Sequence, residues 1–128
     1  MKREEVIRYW IHSSEQDYEV AKSLFKNKKF HYSLFFCHLS VEKYLKAIIV
    51  KNTESAPPFT HDLIRLAEKA GIPLSIDLKH SLIEITSFNI KTRYDDYKLS
   101  FYKKATRSFT QKYLNETKEI LVWLKKHA

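Results

Sequence analysis

The segment Lys91-Thr92-Arg93-Tyr94-Asp95-Asp96-Tyr97 sets a guanidinium, two carboxylates and two phenols side by side, just after a clean helical pattern. Packing alone gives a surface segment no reason to hold that mixture. A guanidinium is a planar fork that meets a phosphate at two points, and a phenol ring offers a face on which a base can stack. The same residues have a plainer use: Asp95 and Asp96 could neutralise Arg93 locally, and Tyr94 and Tyr97 could pack the segment onto the fold. From Lys91 to Lys112 the cations Lys91, Arg93, Lys98, Lys103, Lys104, Arg107 and Lys112 face only Asp95 and Asp96, which accounts for most of the formal net charge of +8. A phosphate-bearing partner is expected to meet the chain here.

Other chemistries find less support. His38 and Glu42 are four apart and could share a helical face, and His61 adjoins Asp62, but neither pair supplies three metal ligands and nothing follows the HExxH pattern. Cys37 lies in an apolar helical stripe, where a thiol acts as an inert small hydrophobe. The only glycine is Gly71, so there is no nucleophile elbow and no glycine-rich phosphate loop. No metal and no cofactor are expected. Glu42, beside a wide apolar stripe, is costly to bury unless paired, and either Arg93 or a lysine such as Lys46 is a candidate partner.

The elements that must position these groups are helical. One glycine and three prolines among 128 residues leave too few turn residues for a sheet. Apolar residues recur at three- and four-residue steps from Ile7 to Phe25, predicting a helix over about Glu4 to Lys26, with Asn27 as a left-handed stop. A second helix is expected from about Lys29 to Lys51. Its apolar surface spreads past one face, so it is either the central helix or part of a subunit interface. Pro57-Pro58 excludes helix. Thr60 is the expected cap of a short third helix ending at Ala70, before Gly71 and Pro73. Ser75 caps a fourth helix to about Asn89, residues 91–100 form a loop, and a last helix runs from about Tyr102 to Lys126. The expectation is an all-α, up-and-down antiparallel four-helix bundle with one additional short helix, as a single domain over 1–128.

Length and composition fit one soluble domain: 44% of residues are hydrophobic and 30% charged. One cysteine permits no disulfide within the chain. Met1 to Glu5 lacks the apolar stretch of a secretory signal, and Glu42, Lys43 and Lys46 interrupt the most apolar region, so neither export nor a membrane span is expected and the cytoplasm is the expected compartment.

Three motifs in order resemble the HEPN domain. They are Leu39-Ser40-Val41-Glu42-Lys43-Tyr44-Leu45-Lys46-Ala47, then Thr60-His61-Asp62-Leu63, then Thr92-Arg93-Tyr94-Asp95-Asp96, followed by a closing amphipathic helix. The resemblance spans nearly the whole chain and is to the small stand-alone members. It implies a helical bundle that forms a homodimer, and frequent partnership with a minimal nucleotidyltransferase in a two-gene, toxin–antitoxin-like module. Many members of the family are metal-independent ribonucleases; others are regarded as non-catalytic nucleotide- or RNA-binding partners. Asp95 stands where the family usually has proline. The ribonuclease members place a histidine shortly after the arginine, and residues 94–100 contain none here.

Three functions follow as expectations. The first is a nucleotide- or RNA-binding partner of a nucleotidyltransferase, with Glu42, Lys43, Lys46, Arg93, Tyr94, Asp96 and Lys98 at the binding face. The second is a metal-independent ribonuclease toxin, with Arg93 stabilising the phosphorane and Tyr97 or His61 carrying the proton. The third is a non-catalytic structural or regulatory subunit that uses the broad apolar surface of the second helix.

Overall fold

The computed structural model describes residues 2–127. Among them there are six helices and no strand: α1 (Arg3–Lys26), α2 (Phe30–Thr53), α3 (Leu63–Ala70), α4 (Ile76–Arg93), α5 (Ser100–Lys104) and α6 (Arg107–His127). No described helix is long and apolar enough to cross a membrane.

α2 is the helix around which the others pack. Leu34, Val41, Leu45, Ile48 and Ile49 are buried in the main core, while Ser33, Cys37, Ser40 and Ala47 are buried on other sides of the same helix. The chain therefore covers the wide apolar surface of α2 with its own helices. α1 lies against α2 in the opposite direction: the Arg3 guanidinium donates to the Val50 and Lys51 carbonyls, Ser14 to the Ser40 carbonyl and Ser33 to the Ala21 carbonyl. Arg3 thus sits where the orphan carbonyls at the end of α2 need donors. Small buried residues let the two backbones approach closely. α4 crosses α2 through Phe88 and Asn89. Phe88, fully buried, lies within 5.1–6.1 Å of the ring centres of Tyr113, Phe101 and Phe109, joining α4, α5 and α6. Truncating such a ring costs about 3–5 kcal/mol.

Local punctuation differs from expectation at several points. The left-handed residue after α1 is Lys28 (φ 61°), not Asn27; the Lys28 and Lys29 amides bond back to the Phe25 and Leu24 carbonyls in a Schellman closure. Gly71 closes α3 in the same way, as expected. α3 is capped by Asp62, whose carboxylate accepts the Ile64 and Arg65 amides, and not by Thr60. Ser75 caps α4 through the Leu78 amide, but α4 runs on to Arg93, so Arg93 stands on a helix and not in a loop. The expected last helix is broken: Thr106 accepts the Phe109 amide and starts α6 afresh, leaving α5 as a single turn.

Candidate functional site

Arg93, at the last turn of α4, is exposed. Its Nε donates to the Asn89 carbonyl at 3.2 Å, and a terminal nitrogen donates to the Asn89 side-chain oxygen. Its guanidinium carbon lies 5.4 Å from the centre of the Tyr94 ring. No carboxylate pairs with it among the described residues. Asp95 and Asp96 are occupied elsewhere. Asp95 accepts the amides of Asp96, Phe101 and Tyr102 at 2.9–3.0 Å, and Asp96 accepts that of Ser100 at 3.0 Å. These bonds hold both carboxyls below the usual carboxylate range; for Asp95 desolvation is the largest single effect and pushes upward, but the three amide bonds together outweigh it. The pair anchors the start of α5, where Leu99 adopts a left-handed φ of 57°, a conformation that costs a side-chain-bearing residue about 1–2 kcal/mol. The acidic pair therefore fixes the backbone and leaves the arginine charged towards solvent.

Tyr94 and Tyr97 are exposed, at 72% and 90%. Lys98 lies 5.7 Å from the Tyr97 ring centre. Lys91, Tyr94, Asp95, Asp96, Ser100, Phe101 and Lys104 line a groove of about 250 Å³ beside Arg93. The face thus offers a free guanidinium, two ammonium groups within the segment and two phenol rings.

Beneath it runs a polar relay through the core. Asn89 is 2% exposed and His38 fully buried. The His38 Nε2 lies 2.8 Å from the His61 carbonyl. A carbonyl only accepts, so this nitrogen carries the proton. The other ring nitrogen then accepts from the Asn89 amide at 3.4 Å, and the Asn89 oxygen accepts from Arg93. Burial pushes the His38 pKa down, more than the His61 carbonyl and Glu42 raise it, which is consistent with a neutral ring.

The relay ends on a second group. His61, from the loop before α3, places Nδ1 2.8 Å from Glu42 Oε1, and Lys46 places Nζ 3.0 Å from Glu42 Oε2. Glu42 is 4% exposed, while the His61 side chain is 58% exposed. Burial alone would raise the Glu42 pKa; the hydrogen bonds from His61 and Lys46 win and lower it. The sequence left open whether Glu42 pairs with Arg93 or a lysine, and its partners are Lys46 and His61. Lys46 also lies 5.3 Å from the Trp10 ring centre. Lys43 turns to α1, with Nζ 2.7 Å from Asp17 and 2.8 Å from Ser13 Oγ.

The residues picked from sequence therefore fall into two groups. Arg93, Tyr94, Tyr97 and Lys98 share the exposed segment, with Asp96 in its backbone scaffold. Glu42, Lys46 and His61 form the second centre, and Lys43 stands apart from both. Sequence reasoning gave no role to Asn89, the link between arginine and histidine; its only signal was an amide at an inward position of α4. No group of three or more His, Cys, Asp or Glu side chains suited to a metal occurs among the described residues.

A family model described as the HEPN domain matches residues 7–127. No curated protein and no solved structure matches the chain.

Proposed function

Because this chain belongs to the HEPN domain family, we propose that it is a homodimeric nucleotide- or RNA-binding protein that works in the cytoplasm as the partner of a minimal nucleotidyltransferase, in a toxin–antitoxin-like module. Family membership points the function towards nucleotides or RNA. The observation that carries the binding reading is the state of Arg93: exposed, oriented by Asn89, and paired with no carboxylate among the described residues. An arginine fixed in this way keeps its fork and its charge for a phosphate. Tyr94 and Tyr97 supply stacking faces beside it, and Lys98 adds charge.

The reading treats the chain as one domain whose four long helices form an up-and-down bundle, with α3 and α5 as short additions. The dimer it needs is supported by α4, which carries Ile76, Ile83 and Ile90 at intervals of seven residues, exposed by 72%, 59% and 62%. A stripe at heptad spacing suits packing against a second helix. α2 is not available for that purpose, because the chain's own helices cover it.

Phosphate contacts release counterions, so affinity for a labelled single-stranded RNA or a nucleotide should fall steeply with salt. Fluorescence anisotropy across a salt series tests this. Affinity that ignores salt, or that survives Arg93→Ala unchanged, would overturn the binding reading.

A further inference from the structure

We propose that the cleft between the start of α4 and the second half of α6 binds a linear aliphatic polyamine, a ligand whose ammonium groups are spaced by methylenes. The site lies at the opposite end of α4 from Arg93 and does not depend on nucleotide or RNA binding.

The cleft holds about 530 Å³, within the range of small-molecule pockets. Leu78, Ile120 and Trp123 give it an apolar floor, and Asp77, Glu116 and Glu119 stand around it. The His127 ring stacks on the indole of Trp123, with centres 4.0 Å apart and planes at 28°, and so holds it in place. Glu116 Oε1 accepts from Ser81 Oγ at 3.2 Å, which ties the two walls together. Its other oxygen, Oε2, is buried and has no hydrogen-bond partner among the described residues. A carboxylate oxygen shut away from water in this state is costly, and a cationic donor removes the cost. Asp77 has a second use, because it sits in the first turn of α4 and complements the helix dipole. Glu116 and Glu119 are well past the first turn of α6 and have no such use. The chain carries 23 lysines and arginines against 15 acidic residues. Even so, no lysine or arginine among the described residues pairs with any of these three carboxylates.

The charges select the ligand. Three carboxylates repel phosphate, so nucleotides and RNA do not suit this cleft, and a free amino acid brings a carboxylate of its own. A hydrated metal ion gains nothing from an apolar floor. A polyamine satisfies both features. One ammonium donates to Glu116 Oε2, another meets the carboxylates at the rim, and the methylenes between them lie on the floor. An ammonium close to the indole face gains further from its quadrupole. The positive charge elsewhere on the protein is no bar, since exposed charges are screened over about 8 Å at physiological ionic strength. Leu78 and Ser81 lie about half a turn round α4 from Ile76 and Ile83, so packing against the isoleucine stripe leaves the cleft open.

Calorimetry of the full chain with spermidine, without RNA, should show one site per chain. In ¹H–¹⁵N spectra the Trp123 indole signal, assigned with Trp123→Phe, should move during the titration while that of Trp10 stays in place. Glu116→Gln keeps an acceptor for Ser81 but removes the charge, and it should weaken binding about tenfold or more. Glu119→Gln should weaken it about threefold. Glu119 is exposed, so this variant keeps the test decisive if Glu116→Gln does not fold. Arg93→Ala should bind spermidine as the wild type does, which separates this site from the proposed phosphate-binding face. Absence of saturable binding, an equal response of Trp123 to magnesium chloride, or an affinity unchanged by both glutamate variants overturns the proposal. A lysine-rich peptide that moves the Trp123 signal where spermidine does not also overturns it, and assigns the cleft to a protein partner.

Discussion

Arg93 is bonded to Asn89, one turn earlier on α4, and to neither of the aspartates that follow it in sequence. Asn89 is a neutral partner, so it sets the direction of the guanidinium without cancelling its charge. Arg93→Ala is therefore expected to weaken nucleotide or RNA binding about tenfold and to reduce the salt slope by about 1. Because the side chain is exposed, stability should stay within about 0.5 kcal/mol of wild type. Anisotropy and urea melts on the same samples check both. A large loss of stability would mean that the arginine serves the fold.

Asn89 itself is buried, and its side chain serves His38 and Arg93 at once. Asn89→Leu fills the space but strands the acceptor nitrogen of His38. The expected cost is about 1–3 kcal/mol, that of a buried polar group left without its partner. Ligand affinity should fall by less than in Arg93→Ala, since the charge remains. A urea midpoint unchanged from wild type would show that the relay contributes nothing to the fold.

Much of this arrangement was legible before any coordinates. Proline and glycine usage announced helices, Gly71 and Ser75 marked real boundaries, and the breadth of α2's apolar surface left two readings, central helix or subunit interface, of which burial by the other helices favours the first. Errors arose where two residues compete for one local role. Lys28 takes the left-handed position although Asn27 tolerates it better, because closure one residue later satisfies the Leu24 and Phe25 carbonyls. Asp62 displaces Thr60 as a cap because its carboxylate serves two amides. Asp95 and Asp96 invited a pairing with Arg93, but amides at the start of α5 claimed them. The His38 and Glu42 spacing was visible along α2. The approach of His61 was not, because it depends on how the proline loop folds back across the helix.

The buried imidazole makes stability fall in mild acid. The folded-state pKa of His38 lies below its ordinary value of 6.5, because burial disfavours the imidazolium. The unfolded chain then binds the proton more readily, so the contribution is full above about pH 6.5 and declines as pH falls towards the folded value. Glu42 acts lower. Its pKa is depressed from 4.5, so its contribution is present above that value and is lost as pH falls through the folded one. Urea midpoints should decline first over the histidine range and again over the carboxylate range. His38→Gln, which keeps a donor for the His61 carbonyl, should flatten the first decline. Midpoints level between about pH 7 and pH 5 in the wild type would exclude this role for His38.

Cys37 gives a direct probe of opening. It is fully buried beside Ala21 and Leu114, and burial pushes its thiol up to about 12. Only thiolate reacts with disulfide reagents, so labelling of the folded protein should be far slower than in denaturant. It should also accelerate in step with urea unfolding measured by circular dichroism. Rapid labelling in native buffer would reveal an opening of the α1–α2–α6 contact well below the global free energy of unfolding.

The exposed isoleucines of α4 make the dimer the most accessible part of the proposal to break. Ile83 stands midway between Ile76 and Ile90 and is 59% exposed in the single chain, so a charge there disturbs little within the protomer. At a helix–helix seam, the same charge would be buried without a partner on both copies, a penalty of several kcal/mol across a symmetric interface. Sedimentation equilibrium should find a dimer for wild type and a monomer for Ile83→Glu, with helical content by circular dichroism unchanged. Ile83→Leu separates size from charge and should remain dimeric. If Ile83→Glu stays dimeric, the interface lies on another face and the isoleucine stripe needs a different partner; if wild type is monomeric at all concentrations, the dimer itself is refuted.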